Sequence, residues 1–142
     1  MNIASNASRG RPFPCALVVE PPASARAGLA KMLKGEGVSV IACADSAQTV
    51  SLARQHRPDV VLLDLDTPGV EDVEQWVTAL EAMTTVVLVC PRDVDEARLV
   101  ALEASGALLV LVKPLPSEWL MHALHHAIAE SRGSRGPRPV AA

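Results

Sequence analysis

Short apolar runs in this chain give way to polar sequence at four places, and the residues there are Glu20, then Asp64 and Asp66, then Cys90, then Lys113-Pro114. Their types suit one kind of chemistry. A carboxylate such as Asp64 can attack phosphorus, and a lysine such as Lys113 can spread the charge of the equatorial oxygens. Further acids can hold Mg²⁺. A single strand-end aspartate is commonly a capped structural acid. The order of these residues along the chain and the proline after Lys113 make the set more specific than any member.

Positioning such groups requires elements, and the sequence marks them. Cys15–Glu20, Val38–Ala42, Val60–Leu65, Thr85–Cys90 and Leu108–Val112 are continuous apolar runs and read as strands. Between and after them, Ala23–Lys34, Ser46–His56, Asp72–Ala82, Val94–Ser105 and Ser117–Glu130 carry apolar residues at helical spacing. Ser46 reads as an N-cap, and Gly35, Gly37 and Gly106 as stops. Strands without polar alternation are covered on both faces, which implies a parallel sheet. Right-handed crossovers then give an α/β, doubly wound, five-stranded sheet with five helices, whose functional groups collect beyond the strand C-termini.

Composition narrows the function. The chain has 142 residues, 49% hydrophobic but only 2% aromatic. That suits one domain with an aliphatic core, and it disfavours readers of single-stranded nucleic acid, which need stacking rings. The longest apolar run, Ala107 to Val112, is far short of the ~18 residues of a membrane span, and residues 1–14 contain no signal-peptide core. Cys15, Cys43 and Cys90 are isolated and suggest an intracellular, cytoplasmic protein with buried thiols. Residues 15–130 hold all 16 acids against 8 of the 13 cations. Arg9, Arg11, Arg132, Arg135 and Arg138 fall in acid-free segments rich in Ser, Gly and Pro. These read as disordered basic tails, 1–14 and 131–142, around a domain at 15–130.

The stretch from Pro58 to Gly69 (PDVVLLDLDTPG), together with Ala101–Ala107 (ALEASGA) and Lys113-Pro114, resembles the receiver domain of two-component response regulators over about residues 15–130. The resemblance implies a flavodoxin-like sheet of order 2-1-3-4-5. Asp64 becomes the phosphoacceptor from a histidine kinase, and Lys113 contacts the phosphate. The Asp66 carbonyl ligates metal, and a cis peptide precedes Pro114.

Three departures from the family pattern weaken that machinery. Glu20-Pro21 stands in place of two adjacent acids, so the metal set of Glu20, Asp64 and Asp66 should hold Mg²⁺ weakly or not at all. Cys90 replaces a Ser or Thr that grips a phosphoryl oxygen, and a thiol is a weak donor. Val110 replaces the switch Tyr or Phe of strand 5. Leu108 and Leu109 occupy places that are often acidic, and with Trp119 they suggest an apolar interaction face on helix 4, strand 5 and helix 5, with Arg98 or the histidines at its rim. His122, His125 and His126 lack a nameable fourth ligand and read as surface residues.

Three functions compete. A pseudo-receiver acts by protein–protein interaction, with weakened or absent phosphorylation at Asp64. A conventional receiver is phosphorylated there by a histidine kinase. Asp64-Leu65-Asp66-Thr67 also resembles the Asp-x-Asp motif of haloacid-dehalogenase phosphohydrolases. That motif normally begins its domain, and only Glu118 and Glu130 follow Lys113, so an enzyme is not expected. Because the sequence ends soon after the fifth helix, the first reading expects a stand-alone module with no DNA-binding output domain. It would act through a histidine kinase or other signalling protein, or through a homodimer.

Overall fold

The computed structural model describes residues 13–21, 28–67 and 72–135. Among them the elements alternate as β1 (Cys15–Val19), α1 (Leu29–Gly35), β2 (Ser39–Cys43), α2 (Thr49–His56), β3 (Val60–Asp64), α3 (Val73–Glu81), β4 (Thr85–Cys90), α4 (Glu96–Glu103), β5 (Leu109–Val112) and α5 (Ser117–Arg135). The strands are parallel and lie in the order β2-β1-β3-β4-β5. This is the doubly wound sheet that the apolar runs imply, in the flavodoxin-like order that the resemblance implies.

Side-chain alternation along the strands splits the core into two layers. Ala16, Val18, Val60, Leu62, Val87 and Val89 pack under α1 and α5, against Leu33, Leu120 and Leu124. Leu17, Val19, Val61, Leu63, Val86 and Leu88 pack under α2, α3 and α4, against Ala53, Val77, Leu80 and Leu102. Because helices cover both faces, β1 and β3 are buried throughout and β4 from Val86 onward. The edge strands are different: β2 and β5 remain only half-buried, although their sequences are as apolar as the central ones.

Helix ends depart from the expected ones for local reasons. Ser46 does not cap α2. A 3-10 turn, Ser46–Gln48, precedes that helix, and Asp45 caps it by accepting from the Ala47 N–H at 2.9 Å. Asp95 likewise accepts from the Arg98 N–H at 2.7 Å, so α4 starts two residues later than its periodicity suggests. At the end of α1, Gly37 adopts φ 85°, with Val38 N–H on the Leu33 carbonyl and Gly37 N–H on that of Lys34. This left-handed closure also buries Val38 beside Leu33.

The largest difference is at the C-terminus. α5 runs to Arg135 instead of stopping at Glu130, and its buried face continues to Ser131. Arg132 then donates to Asp59 Oδ2 at 3.3 Å. Residues 131–135 are therefore helix and not tail. The expected tails at 1–12 and 136–142, and the start of the first helix before Gly28, lie outside the described residues.

Candidate functional site

Parallel register brings the chemistry-bearing residues together. Val19 pairs with Leu63, so Glu20 lies level with Asp64 at the strand ends. Asp64 pairs with Val89, placing Cys90 one step beyond it. Cys90 pairs with Val112, and the next N–H, that of Lys113, donates to the Cys90 carbonyl at 3.0 Å. The Lys113-Pro114 peptide is cis.

Asp64 is the buried centre, 1% exposed. A tight turn closes over it, with Thr67 N–H on the Asp64 carbonyl at 3.0 Å and Asp66 N–H on Asp64 Oδ1 at 2.9 Å. Lys113 Nζ reaches Asp64 Oδ1 at 3.1 Å and Oδ2 at 3.0 Å, and Asp66 Oδ2 at 2.6 Å. Burial alone would lower the Lys113 ammonium. Its hydrogen bonds to Asp66 and Asp64, with the charge of both carboxylates, outweigh that and hold it above its ordinary value.

Cys90 is fully buried on the α2–α4 side of the sheet. Burial pushes its thiol up, Arg98 opposes this, and Asp64 and Glu103 add to it. A thiol kept neutral is neither a strong donor nor a nucleophile. Val110 packs against the same layer.

The side-chain donors a cation would meet here are the carboxylates of Asp64, Asp66 and Glu20. Both carboxylate oxygens of Asp64 face the Lys113 ammonium, and β1 ends in one carboxylate followed by a proline ring. Among the described residues, no three His, Cys, Asp or Glu side chains stand close enough to hold a metal ion.

The residues expected on an interaction face do not form one patch. Trp119 is 70% exposed near the start of α5. Leu108 is 37% exposed and shares a groove with Glu81 and Glu130 at the opposite end of the sheet. Glu130 lies eleven residues beyond Trp119, about 16 Å along the helix at 1.5 Å per residue. Leu109 packs into the α1/α5 layer. Arg98 is not at the rim of that face. It grips Glu74 of α3 through both carboxylate oxygens, at 2.9 and 3.0 Å. His122, His125 and His126 are exposed, and His125 Nε2 meets Glu36 Oε1 at 2.5 Å.

One cluster escaped the sequence reading. Asp59, just before β3, is 1% exposed, and its Oδ2 accepts from Cys15 N–H at 2.8 Å as well as from Arg132. Nearby, Thr84 Oγ1 donates to the Pro58 carbonyl at 2.8 Å. The available signal was a polar pair, Pro58-Asp59, immediately ahead of an unbroken apolar strand.

Residues 16–125 match the response regulator receiver domain family. The chain belongs to that family. Similar curated proteins include the transcriptional regulatory protein PrrA of Mycobacterium tuberculosis, 36% identical over 124 residues, covering 85% of this chain and 52% of that protein. The transcriptional regulatory protein PdtaR of the same species is 33% identical over 122 residues, covering 82% and 57%. The receiver thus spans about half the length of the curated relatives it matches. Among solved structures, a response regulator receiver domain protein from Clostridium thermocellum superposes with TM-score 0.73 at 17% identity, covering 86% of this chain and 99% of that one. A CheY-like receiver domain protein from Methanospirillum hungatei gives 0.70 at 21%, covering 84% and 98%. In the described residues, no helix is long and apolar enough to cross a membrane.

Proposed function

We propose that this receiver is atypical: it signals by constitutive protein–protein association, and Mg²⁺-dependent phosphorylation at Asp64 is weakened or lost. The observation that carries the reading is the pair Cys90 and Val110. They occupy the positions of the phosphate-gripping hydroxyl and the switch ring, and both are packed into one core layer. Neither a buried neutral thiol nor a valine reports the arrival of a phosphoryl group. Glu20-Pro21, which leaves β1 with a single carboxylate, points the same way. The protein is then a binding module and not an enzyme. It works inside the cell on a histidine kinase or other signalling protein, and the exposed Trp119 side of α5 is the first candidate for contact with that partner or with a second copy.

One observation favours a conventional receiver instead. The Asp64–Lys113 pair is intact, at 3.0 Å. Intact mass after treatment with acetyl phosphate and Mg²⁺ separates the two readings, together with a Mg²⁺ titration followed by the fluorescence of Trp76 and Trp119. The expected result is little mass increase and an affinity weaker than millimolar. Rapid, complete addition of one phosphoryl group at submillimolar Mg²⁺ would establish the conventional reading.

A further inference from the structure

Lys113 carries three N–H donors, and its neighbours use that capacity unevenly. Two contacts go to the oxygens of Asp64 at 3.0 and 3.1 Å, while the shortest, 2.6 Å, goes to Asp66 Oδ2. The Asp66 side chain is 46% exposed, so its carboxylate lies at the solvent side of the buried Asp64. Its placement is set by the backbone: the Asp64–Thr67 turn and the Asp66 N–H on Asp64 Oδ1 fix the direction in which this side chain leaves the chain.

We infer that Asp66 is a positioning residue: its ion pair holds Lys113 and withholds it from an incoming phosphoryl group. This deepens the proposed function and rests on Asp64 being the phosphoacceptor position of a weakened site. In the transfer, an Asp64 oxygen attacks the phosphorus of acetyl phosphate and a P–O bond forms. The P–O bond to the acetyl group breaks, and acetate leaves with the electron pair. The phosphoryl oxygens need a cation as this happens. Here the ammonium already serves two carboxylates, and the three groups together carry one net negative charge. An anionic donor therefore meets repulsion, and Lys113 must give up its shortest bond to help it.

The test compares rates of aspartyl phosphate formation from acetyl phosphate, read by intact mass. The variants are Asp66→Asn, Asp66→Ala and Asp66→Glu, each made with Lys113 present and in a Lys113→Gln background, with folding checked by circular dichroism. Asp66→Asn and Asp66→Ala should react about tenfold faster than wild type, roughly the worth of one charge-assisted bond. Asp66→Glu, which keeps a carboxylate within reach of the lysine, should show no such gain. The gain should vanish when Lys113 is Gln, as a double-mutant cycle requires of residues acting through each other. No gain in either neutral variant overturns the inference, as does a gain that survives intact in Lys113→Gln, which would mean simple repulsion by Asp66. Fast labelling of the wild type would instead overturn the weakened-site reading, while the ratio of variant to wild type still decides the role of Asp66.

Discussion

The third strand carries a buried aspartate at each end, and the two have opposite characters. Asp59 and Asp64 are each 1% exposed and each faces a cation. Around Asp59 the partners converge on one oxygen, Oδ2. One is the first N–H of β1, and the other is Arg132, held by a helix whose flanking residue Ser131 is buried. Around Asp64 the cation is a lysine shared with a second acid that is half in solvent. Burial alone does not separate a structural carboxylate from a reactive one. What separates them is that the cation of Asp64 is divided with a second, half-exposed acid.

The largest expected effect lies at the structural end. Asp59→Ala should cost about 2–4 kcal/mol, because it strands the buried Cys15 N–H and leaves Arg132 without its carboxylate. Chemical denaturation or a fall in Tm of roughly 10 °C would register it. A variant as stable as wild type would dissolve the contrast between the two ends.

That contrast was only half legible in the sequence. The doubly wound parallel fold follows from the unbroken apolar runs, the strand order came only with the resemblance to receiver domains, and the gathering of Glu20, Asp64, Cys90 and Lys113 follows from parallel register. Asp59 and Arg132 are 73 residues apart, and no local pattern links them. The extension of α5 was hidden because a serine, Ser131, occupies the buried position. In β5 four apolar residues in a row conceal which of them face a layer, so Leu109 passed for surface. Asp45 and Asp95 cap through side-chain geometry that composition does not distinguish from ordinary loop acids.

At the reactive end, Cys90 should show a pH signature. Its folded thiol pKa is raised above the unfolded value, so the folded state keeps a proton that the unfolded chain releases. The associated stability is full below the unfolded pKa and declines as pH rises from about 8.5 towards the raised value. The slope approaches about 1.4 kcal/mol per pH unit. Cys90→Ala should remove that decline while adding a pH-independent loss from the missing sulfur. Parallel stability curves for the two proteins between about pH 8.5 and 10 would argue against it.

Asp64→Asn sharpens the comparison further. Lys113 keeps Asp66, and the repulsion among Asp64, Asp66 and Glu20 is relieved, so stability should stay within about 1 kcal/mol of wild type or rise slightly. Partner binding should also persist under the constitutive reading. Loss of cellular function in a folded Asp64→Asn protein would restore a phosphorylation switch.

The smallest effect on stability belongs to α5 at the end far from Arg132. Trp119→Ala should change folding stability by no more than about 0.5 kcal/mol, since the ring is mostly in solvent. Its effect should appear in association, as reduced partner capture or a lower solution mass. Unchanged association in this variant would remove the Trp119 side of α5 from consideration.

Asp59 Oδ2 receives both the first N–H of β1 and the side chain of Arg132, from the last turn of α5. The start of β1 and the last turn of α5 therefore meet at one spot. That spot lies on the pole away from Asp64. Such a unit can be spliced into a loop of a host protein without prising that loop open. It can also be circularly permuted, with a short bridge from residue 135 to residue 13 and new termini in an exposed loop. The Asp64 pole would then point away from whatever carries it.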